Sequence, residues 1–293
     1  MKKLWITLLI ITVVGLCLWT AGFFLGAATN FYFDFEGFHV IEAGSGEIQE
    51  DMNLPEFTEI KIDSSSAHIE VVEGEKYGIY IENNITGKSH YSVDNGVLNV
   101  RQPNAIGFFM FNWLSSTDVI KIYLPKDAVL NKADVDFASG KFEIKSIDCD
   151  DINVDMASGK IILTDLKSNK IRITYASGTT TLDNVTANDA KFEFVSGSLN
   201  ARNINFKKIA LDLTSGNADV SGVINGDIEI DMTSGNVKMD IDAPENNFSK
   251  KIDKMSGSVI INGNSVDTQY DKNAPYEIDV DITSGGVKID FTK

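Results

Sequence analysis

Val135-Asp-Phe-Ala-Ser-Gly-Lys-Phe-Glu-Ile144 returns one nineteen-residue step later as Val154-Asp-Met-Ala-Ser-Gly-Lys-Ile-Ile-Leu163. The pattern recurs from Ile173, Phe192, Leu211 and Ile230, so that Ser139-Gly140, Ser158-Gly159, Ser177-Gly178, Ser196-Gly197, Ser215-Gly216 and Ser234-Gly235 are evenly spaced. Two further pairs, Ser256-Gly257 and Ser284-Gly285, follow at wider steps. A fixed period of this length means one short supersecondary unit, copied along the chain and stacked on itself.

Residues at the same place in the period form columns. Val135, Val154, Ile173, Phe192, Leu211 and Ile230 make one apolar column; Phe137, Met156, Tyr175, Phe194, Leu213 and Met232 make a second. Beyond the glycine come Phe142, Ile161, Thr180, Leu199, Ala218 and Val237, then Ile144, Leu163, Leu182, Ala201, Val220 and Met239. Polar positions such as Asp136, Asp155 and Asp212 lie between them. Alternation with period two is the signature of a half-buried strand, here repeated on both sides of a corner. A last apolar pair closes each unit: Ile147 with Ile152, Leu166 with Ile171, Val185 with Ala190, Ile204 with Ile209, and Val223 with Ile228. The pattern predicts an all-β parallel solenoid of nineteen-residue rungs about 4.8 Å apart, and strand twist favours a right-handed single-stranded coil.

Glycine at the corner permits positive φ, and a column of serine hydroxyls is expected to bond along the stack or to the turn backbone. A serine in every rung carries packing information before it suggests a row of nucleophiles.

These units, with Ile230-Asp-Met-Thr-Ser-Gly-Asn-Val-Lys-Met239, resemble the bacterial β-strand-repeat domains known as "putative adhesin", among them the LiaG-like membrane-anchored proteins of cell-envelope stress operons. The resemblance covers most of the chain after about residue 50, including Ile122-Tyr-Leu-Pro-Lys126. It implies the β-repeat fold and an adhesin-like or envelope-stress role, and it is unspecific for any activity.

The N-terminus supplies an address. After Met1-Lys2-Lys3 the chain carries no charge until Asp34, and Leu4 to Leu25 is almost wholly apolar. That length suits a hydrocarbon core of about 30 Å. Lysines before it and Asp34 and Glu36 after it place the N-terminus in the cytoplasm and the repeats outside, with Trp19, Phe31, Tyr32 and Phe33 suited to the outer interface. The rival is a cleaved secretory signal ending near Gly26-Ala27-Ala28, although the apolar stretch is long for one. The expectation is a single-pass anchor in the cell membrane.

The net charge of −16 argues against nucleic acid and against plain electrostatic adhesion to anionic polymers. Of the two cysteines, Cys17 falls in the apolar segment, so no internal disulfide is expected, and Cys149 sits among carboxylates that disfavour a thiolate.

The organisation reads as residues 1–36 for stub and anchor, 37–130 for an irregular β region capping the solenoid, and 131–293 for the repeats with a C-terminal cap. Within 37–130, Ile60 to Val71 reads as a degenerate rung with Ser66-Ala67 in place of Ser-Gly, and Val93 to Val100 as a hairpin through Asp94-Asn95-Gly96. An apolar loop, 106–114, carries Phe108, Phe109, Met110, Phe111 and Trp113. It either folds over the solenoid end or meets the bilayer or a partner, and the nearby anchor favours the second.

Candidate chemistry is sparse. His39, His68 and His90 are scattered, and no nucleophile elbow, metalloprotease motif, phosphate loop or calcium repeat occurs. The outward column Asp136, Asp155, Glu193, Asp212 and Asp231, interrupted by Thr174, is either a solvated face or a place for a hard cation. Asp155, Arg172 and Lys191 lie near one another in the column scheme, which allows a polysaccharide-lyase-like reading by fold analogy alone. The sequence favours a non-enzymatic, membrane-anchored adhesion, interaction or scaffold module of the envelope, with no cofactor, no metal and an unknown envelope protein or polymer as partner. A carbohydrate-active enzyme of the cell wall is the alternative.

Overall fold

The computed structural model describes residues 31–34, 37–40, 47–84, 89–102, 117–270 and 273–292. Nearly all are extended. β1 (Phe31–Asp34) and β2 (Gly37–Val40) form a separate antiparallel pair. The remaining strands make one 15-stranded sheet: β3 (Glu47–Asp51), β4 (Glu59–Gly74), β5 (Gly78–Asn83), β6 (His90–Asp94), β7 (Val97–Arg101), β8 (Asp118–Pro125), β9 (Leu130–Lys145), β10 (Cys149–Ile224), β11 (Ile228–Ile241), β12 (Phe248–Lys254), β13 (Ser258–Ile261), β14 (Asn264–Val266), β15 (Gln269–Tyr270), β16 (Tyr276–Ile282) and β17 (Gly286–Phe291).

The nineteen-residue period is the register. β9 pairs in parallel with the start of β10, Val154 opposite Val135 and Leu163 opposite Ile144. The end of β10 pairs likewise with β11, Leu211 opposite Ile230 and Gly216 opposite Gly235. Between these ends β10 runs unbroken for 76 residues, four periods, because each layer hydrogen-bonds to the next without a gap. Each apolar column on either side of the Ser-Gly corner is buried throughout, from Phe137, Met156 and Tyr175 to Leu213 and Met232. The Tyr175 and Phe194 rings stack 4.9 Å apart at an interplanar angle of 2°. The closing pairs are buried too, except that Val223 is half-buried and Ile224 takes the core position.

Two corners recur. At the first, the glycines have positive φ, from 102° at Gly257 to 157° at Gly216. Dihedral freedom is only half of the reason for glycine there. A Cβ on Gly159 would stand 2.2 Å from the Gly140 carbonyl oxygen, and one on Gly197 would stand 2.3 Å from that of Gly178. The corner serines face solvent, Ser158 through Ser284 being exposed and Ser139 half-buried. The side-chain ladders expected of them run through other columns: Asn184 donates to Asp165 (2.7 Å), Asn188 to Asn169 (2.7 Å) and Asn236 to Asn217 (3.2 Å). The second corner uses positive-φ Asp127, Ser146, Asp165, Asn184 and Asn203, again one period apart, then Gly222. Asn and Asp tolerate this left-handed conformation better than other residues with side chains.

At both ends the order of layers departs from the order of sequence. β4 stacks on β9, with Ile62 opposite Val135 and Ala67 opposite Gly140, so Ser66-Ala67 is a genuine corner. On the far side of β4, β7 and β8 together form one more layer, Ile60 facing Leu98 and Ile69 facing Ile120. The segment 37–130 therefore contributes two layers as well as a cap. At the other end, β16 and β17 insert between β11 and the layer made by β12 and β13. The corner glycines there follow the spatial order Gly235, Gly285, Gly257. The outermost layer at each end is covered by antiparallel strands, β5 on β8 and β6 on β7, β15 on β12 and β14 on β13. Such covering reduces exposed edge hydrogen-bonding groups, the hazard of an open stack. Asn95 (φ 52°) and Gly96 (φ 78°) make the tight β6–β7 turn.

Among the described residues no helix is long and apolar enough to cross a membrane. The expected anchor, Leu4–Leu25, lies outside the described residues.

Candidate binding surface

The side chains available for recognition are those of the outward columns. Stacking aligns Asp63 with Asp136 and Asp136 with Asp155; further along it aligns Asp212 with Asp231, Asp231 with Asp281, and Asp281 with Asp253. The acidic column thus extends beyond Asp136–Asp231 at both ends. The signal was in the sequence, since Asp63, Asp253 and Asp281 each precede a corner serine by the same three residues as Asp136. Burial first, then the carboxylates of Asp63, Asp155 and Asp134, push the Asp136 carboxyl above its ordinary value. Burial and then Asp212, Asp281, Glu229 and Asp279 do the same to Asp231. Like charges held one strand spacing apart resist full ionisation.

Where this column reaches the β6–β7 hairpin the surface is concave. A groove of about 700 Å³ runs from His90, Tyr91 and Ser92 on β6, across Asn99 and Arg101 on β7 and Lys61 and Asp63 on β4, to Asp134, Asp136 and Asp155. Two basic groups in or beside it lie near particular acids. Arg101 Nε lies 4.0 Å from Asp63, and Lys132 Nζ lies 3.4 Å from Asp134. Burial opposes ionisation of Asp134, but hydrogen bonding by Asn153 and the charges of Lys132 and Lys61 outweigh it and hold its carboxyl below the ordinary value.

Close by lies a buried polar network around Asn83, Ser89, Gln102 and Asp118. Gln102 Nε2 donates to Asp118 Oδ2 (2.5 Å), and Ser64 Oγ donates to Gln102 Oε1 (2.6 Å). The Asn84 backbone N–H donates to Asp118 Oδ1 (2.5 Å), and the Ser89 hydroxyl donates to Asn83 Oδ1 (2.5 Å). Ser64, Asn83, Ser89, Gln102 and Asp118 are all buried. Polar groups are buried at such cost only when satisfied, so this network fixes the chain on both sides of 103–116. Phe108, Phe109, Met110, Phe111 and Trp113 themselves lie outside the described residues.

His68 Nε2 lies 3.0 Å from Glu70 Oε1 and 3.9 Å from Glu143 Oε2, a cluster that stacking of β4 on β9 creates and linear sequence conceals. Lys121 already pairs with Glu70 (3.2 Å) and Lys141 with Glu143, so both carboxylates have cationic partners. Lys191 pairs with Glu193, whose hydrogen bond raises its ammonium pKa; that works against a role as neutral base beside Asp155 and Arg172. Cys149 is buried, and burial pushes its thiol up to about 12. His90 is exposed at the groove, whereas the side chain of His39 lies outside the described residues.

A rod of in-register β layers with covered ends is a β-repeat protein, a class whose extended faces serve recognition. Residues 57–290 match the Toastrack DUF4097 family, and the chain belongs to that family. Its structure is similar to that of a "putative adhesin" from Bacteroides fragilis, with a TM-score of 0.51 at 14% identity, over 85% of this chain and 98% of that one. It is more distantly similar to a "putative adhesin" from Parabacteroides distasonis (TM-score 0.46, 12% identity, 85% and 98% covered). A "putative lipid binding protein" from the same species gives a TM-score of 0.39 at 17% identity, with 85% and 98% covered. No curated protein matches the chain by sequence.

Proposed function

We propose that this chain is a membrane-tethered, extracytoplasmic, non-enzymatic interaction or scaffold module of a bacterial cell envelope. The observation that supports it best is the in-register stack, which repeats each outward residue from layer to layer and so builds continuous faces for an extended partner. Leu4–Leu25 is the single-pass anchor, with the N-terminus in the cytoplasm. Residues 106–114, flanked by the Gln102–Asp118 hydrogen bond, present Phe108, Phe109, Met110, Phe111 and Trp113 to the bilayer interface or to an envelope partner. The resemblance to LiaG-like proteins supports an adhesin-like or envelope-stress role.

The address is tested with Ser177→Cys, at an exposed corner, in a Cys17→Ser background. A membrane-impermeant maleimide should label intact cells; labelling only after lysis would refute the outward orientation. The loop is tested by flotation of residues 47–293 with zwitterionic vesicles, which leave apolar insertion as the only attraction. Binding should disappear when the five apolar side chains become serine, and undiminished binding would remove the loop from the proposal.

A further inference from the structure

The groove beside the β6–β7 hairpin combines three features that define a ligand class. It is concave, in the volume range of small-molecule and cofactor sites. Its negative charge is unevenly compensated: Lys132 and Lys61 favour the ionised form of Asp134, whereas the charges acting on Asp136 are the carboxylates of Asp63, Asp155 and Asp134. A cation over Asp136 and Asp155 would relieve that repulsion. The floor is the face of the sheet, not its edge. Backbone groups of β7, β4 and β9 are committed to the ladders between these strands, so an extended peptide lying across them finds no main-chain partners there. A polyol needs none, because carboxylate, amide and guanidinium side chains serve its hydroxyls directly.

We propose that this groove binds a polysaccharide bearing free amines, one ammonium seated between Asp136 and Asp155 and neighbouring hydroxyls on Asn99, Ser92 and Arg101. The groove crosses five adjacent strands from β6 to the first layer of β10, about 19 Å at a strand spacing of ~4.8 Å, so the ligand is an oligomer and not a single sugar. The inference rests on the chain being an outward-facing interaction module, and it names what that module holds.

The test is calorimetric titration of the full-length chain in detergent micelles with three probes: a glucosamine hexamer, its fully N-acetylated counterpart, and hexalysine. The glucosamine hexamer should bind, and acetylation should weaken binding by about tenfold or more, the scale expected for losing a charge-assisted contact. Asp136→Asn combined with Asp155→Asn should weaken it at least as much. Asp231→Asn, in the same acidic column but outside the groove, should leave it unchanged. Melting curves of all variants establish that they are folded. Absence of binding by the glucosamine hexamer, or equal loss with Asp231→Asn, overturns the site. Hexalysine binding that depends equally on Asp136 overturns the saccharide assignment. If Ser177→Cys labels from outside while the titration is silent, the ligand assignment fails and the module reading stands. Labelling only after lysis, with a positive titration, removes the outward address and leaves the groove's ligand in place.

Discussion

Replacing Gly197 by alanine tests why the corner between layers demands glycine. The residue has φ 147°, and a Cβ added there would lie 2.3 Å from the Gly178 carbonyl oxygen, 2.9 Å from Gly178 N and 2.9 Å from Tyr175 Cε2. Two of these atoms are backbone of the adjacent layer, so relief requires moving a layer, not turning a side chain. Gly96 provides a comparison in open space: its φ of 78° is positive but close to the left-handed region that alanine tolerates better than 147°, and nothing would lie within 4 Å of an added Cβ. Gly96→Ala should cost only the dihedral penalty, about 1 kcal/mol. Gly197→Ala adds a larger dihedral penalty at φ 147°, the loss of one or two interlayer hydrogen bonds and disturbed packing at Tyr175, for a total of about 3–5 kcal/mol. Ser196→Ala, at an exposed hydroxyl beside it, should stay within about 0.5 kcal/mol. Urea unfolding followed by far-UV circular dichroism measures all three. Equal costs for Gly197→Ala and Gly96→Ala would refute the argument that interlayer contact, more than backbone conformation, demands glycine.

Further expectations concern the polar network, the acidic column and the buried thiol. Asp118→Ala strands the buried Gln102 amide and the Asn84 N–H, which should lower stability by about 2–4 kcal/mol; a neutral result in urea unfolding would contradict the network's role. Asp136 and Asp231 have folded pKa values raised above their ordinary ones, so their contribution favours folding at low pH and is lost as pH rises through the raised range. Glu245, lowered chiefly by hydrogen bonding from Lys250, contributes in the opposite sense, its stabilisation disappearing as pH falls through its folded value. The melting temperature should therefore rise on acidification from neutrality into the upper carboxylate range and fall below it; the double variant Asp136→Asn, Asp231→Asn should flatten the first limb, and a parallel profile would contradict this. In a Cys17→Ser background, Cys149 with its thiol near 12 should resist maleimide at pH 8 until the chain unfolds, and rapid native labelling would refute its burial.

The periodic part of the fold was legible because every layer repeats one pattern. The columns through Val135, Phe137, Phe142 and Ile144 could be assigned from spacing alone, and Ser66-Ala67 betrayed a degenerate corner. Asp165, Asn184 and Asn203 carried a second corner in residue types suited to left-handed backbone, a signal available but subtler than Ser-Gly. The exchange of layer order at the ends was not legible. Periodicity says which residues are equivalent, not which equivalent layer is nearest, and Ser256 precedes Ser284 in sequence while lying outside it in space. Val223 also misled, because the corner at Gly222 places Ile224 inward instead. For the candidate site, the acidic column was visible, but the groove depends on β7 and β4 stacking across a long excursion that spacing does not encode. The serine hydroxyls, read as a bonded ladder, instead face water.

Cysteine cross-linking across the last three corners tests the stacked architecture most directly. Neighbouring layers bring equivalent residues within disulfide reach, and layers two apart lie beyond it, at about 9–10 Å. In a Cys17→Ser background, Ser234→Cys should oxidise readily with Ser284→Cys, and Ser284→Cys with Ser256→Cys, because the order in space is Gly235, Gly285, Gly257. Efficient bonding of Ser234→Cys to Ser256→Cys, with none to Ser284→Cys, would mean that the layers follow sequence order and that this architecture is wrong.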